Sequence, residues 1–363
     1  MKNEKNLADL VQQFGDEEKA RLFLEKMRWP DGPVCPHCGV IGEAYKLKPS
    51  AKGKTHVRNG LWKCSPCQDE FTVTVGTIFE QSHIPLNKWL LAIHLMCASK
   101  KGMSAHQLHR MLGITYKSAW FMAHRIREAM KREPMKGMLK GIVEVDETYV
   151  GGRRKGIGPG RPGPESNKAA VVSLVERKGG VRSFPVERVT SQNLRQIMKA
   201  NIRPQASIMT DDFRAYNFAK SDFASHDKIA HSKGKYVRRK KGKVIHTNTA
   251  EGFFSLLKRA VNGTYHHLSK QHLPRYLAEF DFRYNSRKVS DGERTALAIR
   301  GAEGKRLLYR KPVNPSQQII VLDLLVRQTG FEPARNTIPQ TRGVPLEPKS
   351  SASAFRHCRV EGE

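Results

Sequence analysis

Three acidic residues carry the chemistry this chain is best equipped for: Asp146, Asp211 and Glu251. Asp146 closes the apolar run Ile142-Val143-Glu144-Val145-Asp146, Asp211 follows Ala206-Ser207-Ile208-Met209-Thr210, and Glu251 opens a helical stretch that runs to Lys258. Carboxylates at the ends of two neighbouring strands, joined by a third from a helix, suit a pair of Mg²⁺ ions about 3.5–4 Å apart that clamp a phosphodiester. The plain alternative is that all three are surface or capping carboxylates. Three further acids stand close by. Strand alternation puts Glu144 on the same face as Asp146 and turns Glu147 the other way, which makes Glu144 the better substitute ligand. Asp212, just past its strand, suits a turn or helix cap.

A second constellation lies nearer the N-terminus. Cys35/Cys38 and Cys64/Cys67 form two CxxC knuckles with 25 residues between them. Four thiolates at this spacing describe a closed, structural Zn²⁺ site of the ribbon type. A redox dithiol would need a thioredoxin-like βαβ unit, and none follows. His37 sits inside the first knuckle, but four cysteines already complete a tetrahedron. Cys97 and Cys358 have no partner at useful spacing.

The elements that must position these groups fall into two patterns. Before residue 140 the periodicity is helical. An amphipathic helix over 7–28 carries Leu10, Phe14, Leu22, Phe23 and Met27, with Asp16 capping its second half. Leu86 to Lys101 buries Trp89, Leu90, Ile93, Met96 and Cys97 and stops at Gly102. Ser104-Ala-His-Gln107 caps a short helix that turns Leu108, Met111 and Leu112 inward, and Gly113-Ile114-Thr115 leads to a third helix from Tyr116 to about Lys131. This third helix buries Ala119, Met122, Ala123 and Ile126. Short helix, glycine turn and basic helix make a helix-turn-helix, whose exposed opening residues Tyr116, Lys117 and Ser118 are the candidates for base contact. A three-helix packing unit without DNA contact is the alternative.

From residue 142 the pattern changes to strands at 142–149, 169–175 and 181–186. A helix with Leu194, Ile197 and Met198 follows, then a strand at 206–210, mixed helical segments and a terminal helix. That order is the order of an RNase H-like core with a mixed sheet, and it sets Asp146 and Asp211 side by side. The fold class is therefore multidomain α+β: N-terminal helix plus zinc ribbon over 1–80, helix-turn-helix over 81–135, and an RNase H-like α/β domain over 140–300.

Composition names the partner class. The chain has 363 residues, 64 Lys and Arg against 34 Asp and Glu, and a net charge of +30. A polyanion is the matching partner, and double-stranded DNA is the first candidate. No apolar stretch approaches the roughly 20 residues that span a bilayer, and the N-terminus lacks a signal-peptide core, so no membrane is expected and the location is cytoplasmic. Two basic linkers could hold DNA backbone or simply be solvated loops. One contains Arg153, Arg154 and Lys155; the other, Lys233 to Lys243, contains Arg238, Arg239, Lys240 and Lys241. Residues 312–363 lose periodicity and read as a disordered tail. Gly330-Phe331-Glu332-Pro333 is what GGG-TTC-GAA-CCC encodes, a string typical of a tRNA gene. Hence the hypothesis that the frame has run past its original stop, which sequencing the locus tests.

Several motifs now make the chain recognisable. Arg28-Trp-Pro-Asp-Gly-Pro-Val-Cys-Pro-His-Cys38, Val145-Asp-Glu-Thr-Tyr-Val-Gly-Gly152, His246-Thr-Asn-Thr-Ala-Glu251-Gly-Phe-Phe-Ser-Leu-Leu-Lys258-Arg259, Gly263-Thr-Tyr-His-His-Leu and Glu279-Phe-Asp-Phe-Arg-Tyr-Asn-Ser-Arg287 together resemble an insertion-sequence transposase of the ISXO type. The resemblance covers roughly residues 10–300. It implies an RNase H-like domain of the DDE group, using Mg²⁺ or Mn²⁺ on the terminal inverted repeats of its own element. Asp146, Asp211 and Glu251 match the three catalytic acids, and Lys258 the lysine of the signature. Some members place Asn or His at the third position, and here His246 and Asn248 lie just upstream.

The activity this implies is cleavage at the element's ends by metal-activated water, followed by attack of the freed 3′-OH on target DNA, with no covalent enzyme intermediate and no ATP. Two ends must meet, so a homodimer or higher assembly is expected, nucleoid-associated in a bacterial or archaeal cell. The rivals are a non-catalytic zinc-ribbon and helix-turn-helix regulator, and a structure-selective nuclease of the same fold.

Overall fold

The computed structural model describes residue 12 and residues 14–48, 58–131, 137–151, 168–230, 237–240 and 242–308. Leu10, Arg153, Arg154, Lys155, Lys241, Cys358 and the tail at 312–363 lie outside them.

Helix α1 (Glu17–Arg28) begins where Asp16 accepts the Lys19 amide at 2.7 Å, with Glu17 and Glu18 in its first turn favouring the positive end of the helix dipole. Leu24 supplies its buried face, whereas Leu22 is 49% exposed, a correction to the expected apolar stripe. Strands β1 (Ala44–Lys46), β2 (Trp62–Cys64) and β3 (Glu70–Phe71) form an antiparallel sheet around the cysteine knuckles. Helix α2 (Leu86–Ala98) ends earlier than its periodicity suggests, because Ser99 turns extended and its hydroxyl donates to Gly102 O at 2.7 Å. Then α3 (Ala105–Leu112) and α4 (Tyr116–Ala129) follow, capped by Ser104 and Thr115 and separated by Gly113 at φ 58. Met111 is 50% exposed rather than inward-facing.

The second half is built on one mixed sheet. Strands β4 (Ile142–Val150), β5 (Ala169–Glu176) and β6 (Val181–Val186) run antiparallel. Helix α5 (Ser191–Asn201) crosses over to β7 (Ser207–Asp211), which pairs parallel to β4. A single turn, α6 (Ala219–Asp222), precedes β8 (Ser225–Ile229), parallel to β7. The order β6-β5-β4-β7-β8 is what makes this unit RNase H-like. Residues of the second basic linker are not simply loop: β9 (Arg238–Lys240) pairs with β10 (Lys243–Ile245) as a hairpin. The remaining elements are α7 (Asn248–Ala260), a π-helical turn at 261–265, α8 (Leu273–Asn285) and α9 (Asp291–Arg300).

Three apolar cores follow from these faces. One joins α1, the cysteine knuckles, α2, α3 and α4, and α9 returns to it through Ala298 and Ile299. On one face of the mixed sheet, Val150, Val171, Val175 and Val181 meet Phe253, Phe254 and Leu257 of α7 and Leu277 of α8. On the other, Val143, Val145, Val172 and Leu174 meet Leu194 and Met198 of α5. The sheet is thus covered on both sides, as a parallel-containing sheet requires. Residues Met1–Tyr309 form one compact unit.

Candidate active site and DNA-facing surface

Register brings two acids to the same level of the sheet. On β4 and β7 the pairs run Ile142 with Ser207, Val143 with Ile208 and Glu144 with Met209. Two residues further along each strand lie Asp146 and Asp211, on adjacent strands spaced about 4.8 Å apart. Glu251 is exposed in the first turn of α7, the helix packed over this face. Its amide donates to Thr247 O at 3.0 Å, and the Thr247 hydroxyl donates to Glu251 Oε1 at 3.4 Å.

Electrostatics tie the three together. Burial pushes the Asp146 carboxyl up to about 7, and the negative charges of Glu147, Asp211 and Glu251 add to that push. The Glu147 amide, donating to Asp146 Oδ1 at 2.8 Å, offsets only part of it. The Phe213 amide donates to Asp211 Oδ1 at 3.1 Å. These carboxylates form an oxygen-only donor set of the kind a hard divalent cation takes, although among the described residues their oxygens do not all lie within 4.8 Å of one another. Lys258 is exposed near the other end of α7, seven residues on and so about 10 Å along the helix axis from Glu251.

The neighbouring acids have other partners. Glu144 is fully buried and faces α7: its carboxylate accepts from Arg177 Nε at 2.6 Å, the Thr249 amide at 2.8 Å, the Thr249 hydroxyl at 2.9 Å and the Ala250 amide at 3.1 Å. Thr247, the N-cap of α7, makes no side-chain cap, so Glu144 does that work from the strand. Sequence alternation gave its face but not this engagement. Glu147, on the opposite face, accepts from the buried Tyr216 hydroxyl at 2.6 Å. Asp212 is exposed.

Arg177 is a residue the sequence did not single out. Besides Glu144 it donates to Val244 O at 2.7 Å, His246 O at 2.9 Å and Met209 Sδ at 2.9 Å, so one guanidinium joins β4, β7 and the segment entering α7. His246 Nδ1 lies 3.2 Å from Glu144 Oε1 and accepts the Asn248 amide at the same distance. Burial lowers its pKa, with the Glu144 carboxylate opposing that shift and the Arg177 guanidinium adding to it. Asn248 is exposed at the start of α7.

Among the described residues, the metal-ligating cluster whose donor atoms all lie within 4.8 Å of one another is Cys35, Cys38, Cys64 and Cys67. Cys35 Sγ is 3.6 Å from Cys67 Sγ, and Cys38 Sγ is 3.5 Å from Cys64 Sγ. A Zn–S bond of about 2.3 Å in a tetrahedron gives an edge of about 3.8 Å, so the four sulfurs fit a structural Zn²⁺. His37 is exposed and outside the cluster, and Cys97 is buried elsewhere.

Of the expected DNA-facing residues, Tyr116 and Lys117 are exposed and Ser118 is half-buried, its amide spent on capping. Arg238 and Arg239 are exposed on the β9–β10 hairpin, where Arg238 lies 3.8 Å from Asp227; Lys240 is in the same strand. No helix among the described residues is long and apolar enough to cross a membrane.

Comparison with known proteins bears on both halves. Residues 138–285 match the ISXO2-like transposase domain, and residues 15–70 match the transposase zinc-ribbon domain. A protein of Halobacterium salinarum, described as an uncharacterized protein in transposable element ISH50, is 27% identical over 293 residues, 75% of this chain and 92% of that one. Among solved structures, a pre-cleavage Mos1 transpososome aligns at 14% identity with a TM-score of 0.25, over 58% of this chain and 73% of that chain. The Mos1 transposase paired-end complex with the left transposon end aligns at 13% identity with a TM-score of 0.25, over 59% and 74%. The chain thus carries a segment matching a transposase zinc ribbon ahead of one matching an ISXO2-like transposase domain.

Proposed function

We propose that this protein is a transposase that cuts DNA at the terminal inverted repeats of its element and joins the freed 3′-OH ends to target DNA, with Asp146, Asp211 and Glu251 as the catalytic acids. The observation that carries the reading is the convergence on Asp146: a register-matched partner strand supplies Asp211, and α7 brings the charge of Glu251 to bear on the same carboxyl. Held by these three side chains, Mg²⁺ or Mn²⁺ would supply Lewis acidity and charge neutralisation at the scissile phosphate. The chain's own residues do the positioning. Two acids sit on a sheet covered on both faces, and the third rides on a helix that Glu144 fastens to that sheet. Lys258, on the same helix, is placed to steady a phosphate as a compact positive charge.

DNA is the partner on grounds of charge, with Arg238, Arg239 and their neighbours Lys240 and Lys241 contacting backbone, and Arg153, Arg154 and Lys155 doing so from the first linker. The division of labour follows the domains expected above: ribbon and helix-turn-helix hold the ends, the RNase H-like unit cuts. Joining two ends calls for at least a dimer, working on the chromosome in the cytoplasm.

A plasmid excision assay comparing the parent with Asp146→Asn tests this. Excision with strand-transfer products from the parent alone supports the proposal. Equal behaviour of the two proteins leaves a DNA-binding regulator, and cutting of branched DNA regardless of end sequence, without strand transfer, leaves a structure-selective nuclease.

A further inference from the structure

In a helix-turn-helix the second helix normally reads bases with its N-terminal part, but burial around α4 restricts what it can present. Ala119, Met122, Ala123, Ile126 and Ala129 face the first core. The other sides are walled too. Trp120 packs edge-on to His272 at 5.2 Å, His124 to Tyr276 at 5.5 Å, Arg127 Nε donates to Glu279 Oε2 at 2.7 Å, and Arg125 Nη2 donates to Glu80 O at 2.6 Å. Beyond its opening turn, α4 offers no open face. A helix of about 10–12 Å diameter fills a major groove about 12 Å wide, so a face sealed by protein cannot enter.

Helix α3 does offer one. Leu108 and Leu112 are buried, while His106, Gln107, Arg110 and Met111 are exposed along the opposite side. Tyr116, 44% exposed, stacks on His106 at 4.2 Å and 26°, so the first turn of α4 continues the surface of α3. Charge selects the occupant. No Asp or Glu occurs anywhere between Glu80 and Glu128, while Lys100, Lys101, Arg110 and Lys117 all lie on or beside this face and are exposed. That field suits a polyanion.

We infer that the base-reading surface is the outer row of α3, Gln107 and Arg110 foremost, extended by Tyr116 and Lys117, and that its occupant is the major groove of duplex DNA. The inference rests on the transposase reading above. Arg110 has the fork that recognises guanine, and Gln107 the amide that recognises adenine. Lys100 and Lys101, at the turn before α3, contact phosphate and set register.

The surface is also fixed relative to the acids. Arg283 Nη1 donates to Ser99 O at 2.9 Å, and a side chain at Gly102 would collide with the Tyr265 hydroxyl, which itself donates to Glu279 at 2.9 Å. The turn that launches α3 is therefore locked onto α8, which packs against the mixed sheet. Bases read by α3 should stand at a constant distance from the cut.

The test uses full-length protein and a pool of DNA duplexes with a randomised core, selected by binding and sequenced. The parent and Asp146→Asn should enrich the same motif. Arg110→Lys, which keeps the charge, and Gln107→Ala should each lower preference at particular positions roughly ten- to hundredfold, the scale of one lost bidentate contact, without changing affinity for a duplex lacking the motif. Both variants retaining the parent motif at every position, or a parent that enriches no motif, would overturn the inference. Enrichment by a parent that excises nothing would instead defeat the catalytic proposal and leave this one standing.

Discussion

Glu144→Gln is the sharpest probe of how the helix that carries Glu251 is held. The carboxylate is 0% exposed and its partner Arg177 is 17% exposed, so solvent screens the pair little. Gln keeps one acceptor oxygen but loses the charge and the second acceptor, leaving either the Arg177 guanidinium or the α7 amides of Thr249 and Ala250 underserved. Hydrogen bonds to charged groups contribute about 1.5–3 kcal/mol, and removing one partner of a buried ion pair costs about 3–5 kcal/mol. A loss of about 2 kcal/mol is therefore expected for Gln and about 4 kcal/mol for Glu144→Ala. At about 1.4 kcal/mol per factor of ten, the Gln variant should exchange its first-turn α7 amides about 30-fold faster, read by native-state hydrogen exchange on peptides covering Thr249 to Glu251. Because Glu251 rides on that turn, DNA cleavage by Glu144→Gln should need more Mn²⁺ to saturate yet recover toward parental rates. Glu251→Gln should not recover. Unchanged exchange at Thr249 and Ala250, or a Glu144→Gln enzyme that no Mn²⁺ concentration improves, would refute the anchoring argument.

Other consequences are equally direct. Cys64→Ser should lower bound zinc from about one ion per chain toward none, measured by atomic emission, and reduce thermal stability, since Cys64 and Cys35 belong to the core shared with α2 and α4. Arg127→Met should destabilise by about 1.5–3 kcal/mol in urea unfolding, because it removes a charge-assisted hydrogen bond from the buried Glu279 and leaves that carboxylate to Arg283 and Tyr265. A parental midpoint would contradict that. Both ring nitrogens of His124 are buried without a hydrogen-bond partner, and burial, then Arg127, His272 and Arg275, pull its pKa from 6.5 to about 2. The unfolded chain thus binds a proton below about pH 6.5 that the folded chain refuses, so stability falls on acidification by up to about 1.4 kcal/mol per pH unit. His124→Phe should flatten the urea midpoint between about pH 6 and 4; an unchanged slope would show that other groups set the acid limb.

What the sequence made legible, and what it did not, follows from how many partners each feature needs. β4, β5 and β7 announce themselves because interior strands buried on both faces read as apolar runs, and acids that end such runs stand out. β8, Ser225–Ile229, does not, because an edge strand pairs on one side and its Ser-His-Asp-Lys-Ile sequence is only partly buried. The β9–β10 hairpin hides the same way, its residues reading as solvated charge. Leu22 and Met111 fit a helical stripe yet remain exposed, since periodicity fixes an angle around the helix and not the width of the face its neighbours cover.

Glu144 and Asp146 make the argument at the site itself. They share one strand and one face, and pattern alone treats them as interchangeable ligands. Their surroundings separate them. Glu144 meets a guanidinium and the amide end of α7, so the chain satisfies its charge from within. Asp146 meets Asp211, Glu251 and Glu147, so its charge is opposed by its own neighbours. Uptake of a proton relieves part of that opposition, as the raised pKa of Asp146 shows, and in the proposed reading a pair of divalent cations would relieve it with the right sign and hardness. The same strand therefore builds the anchor and the site it anchors, two residues apart.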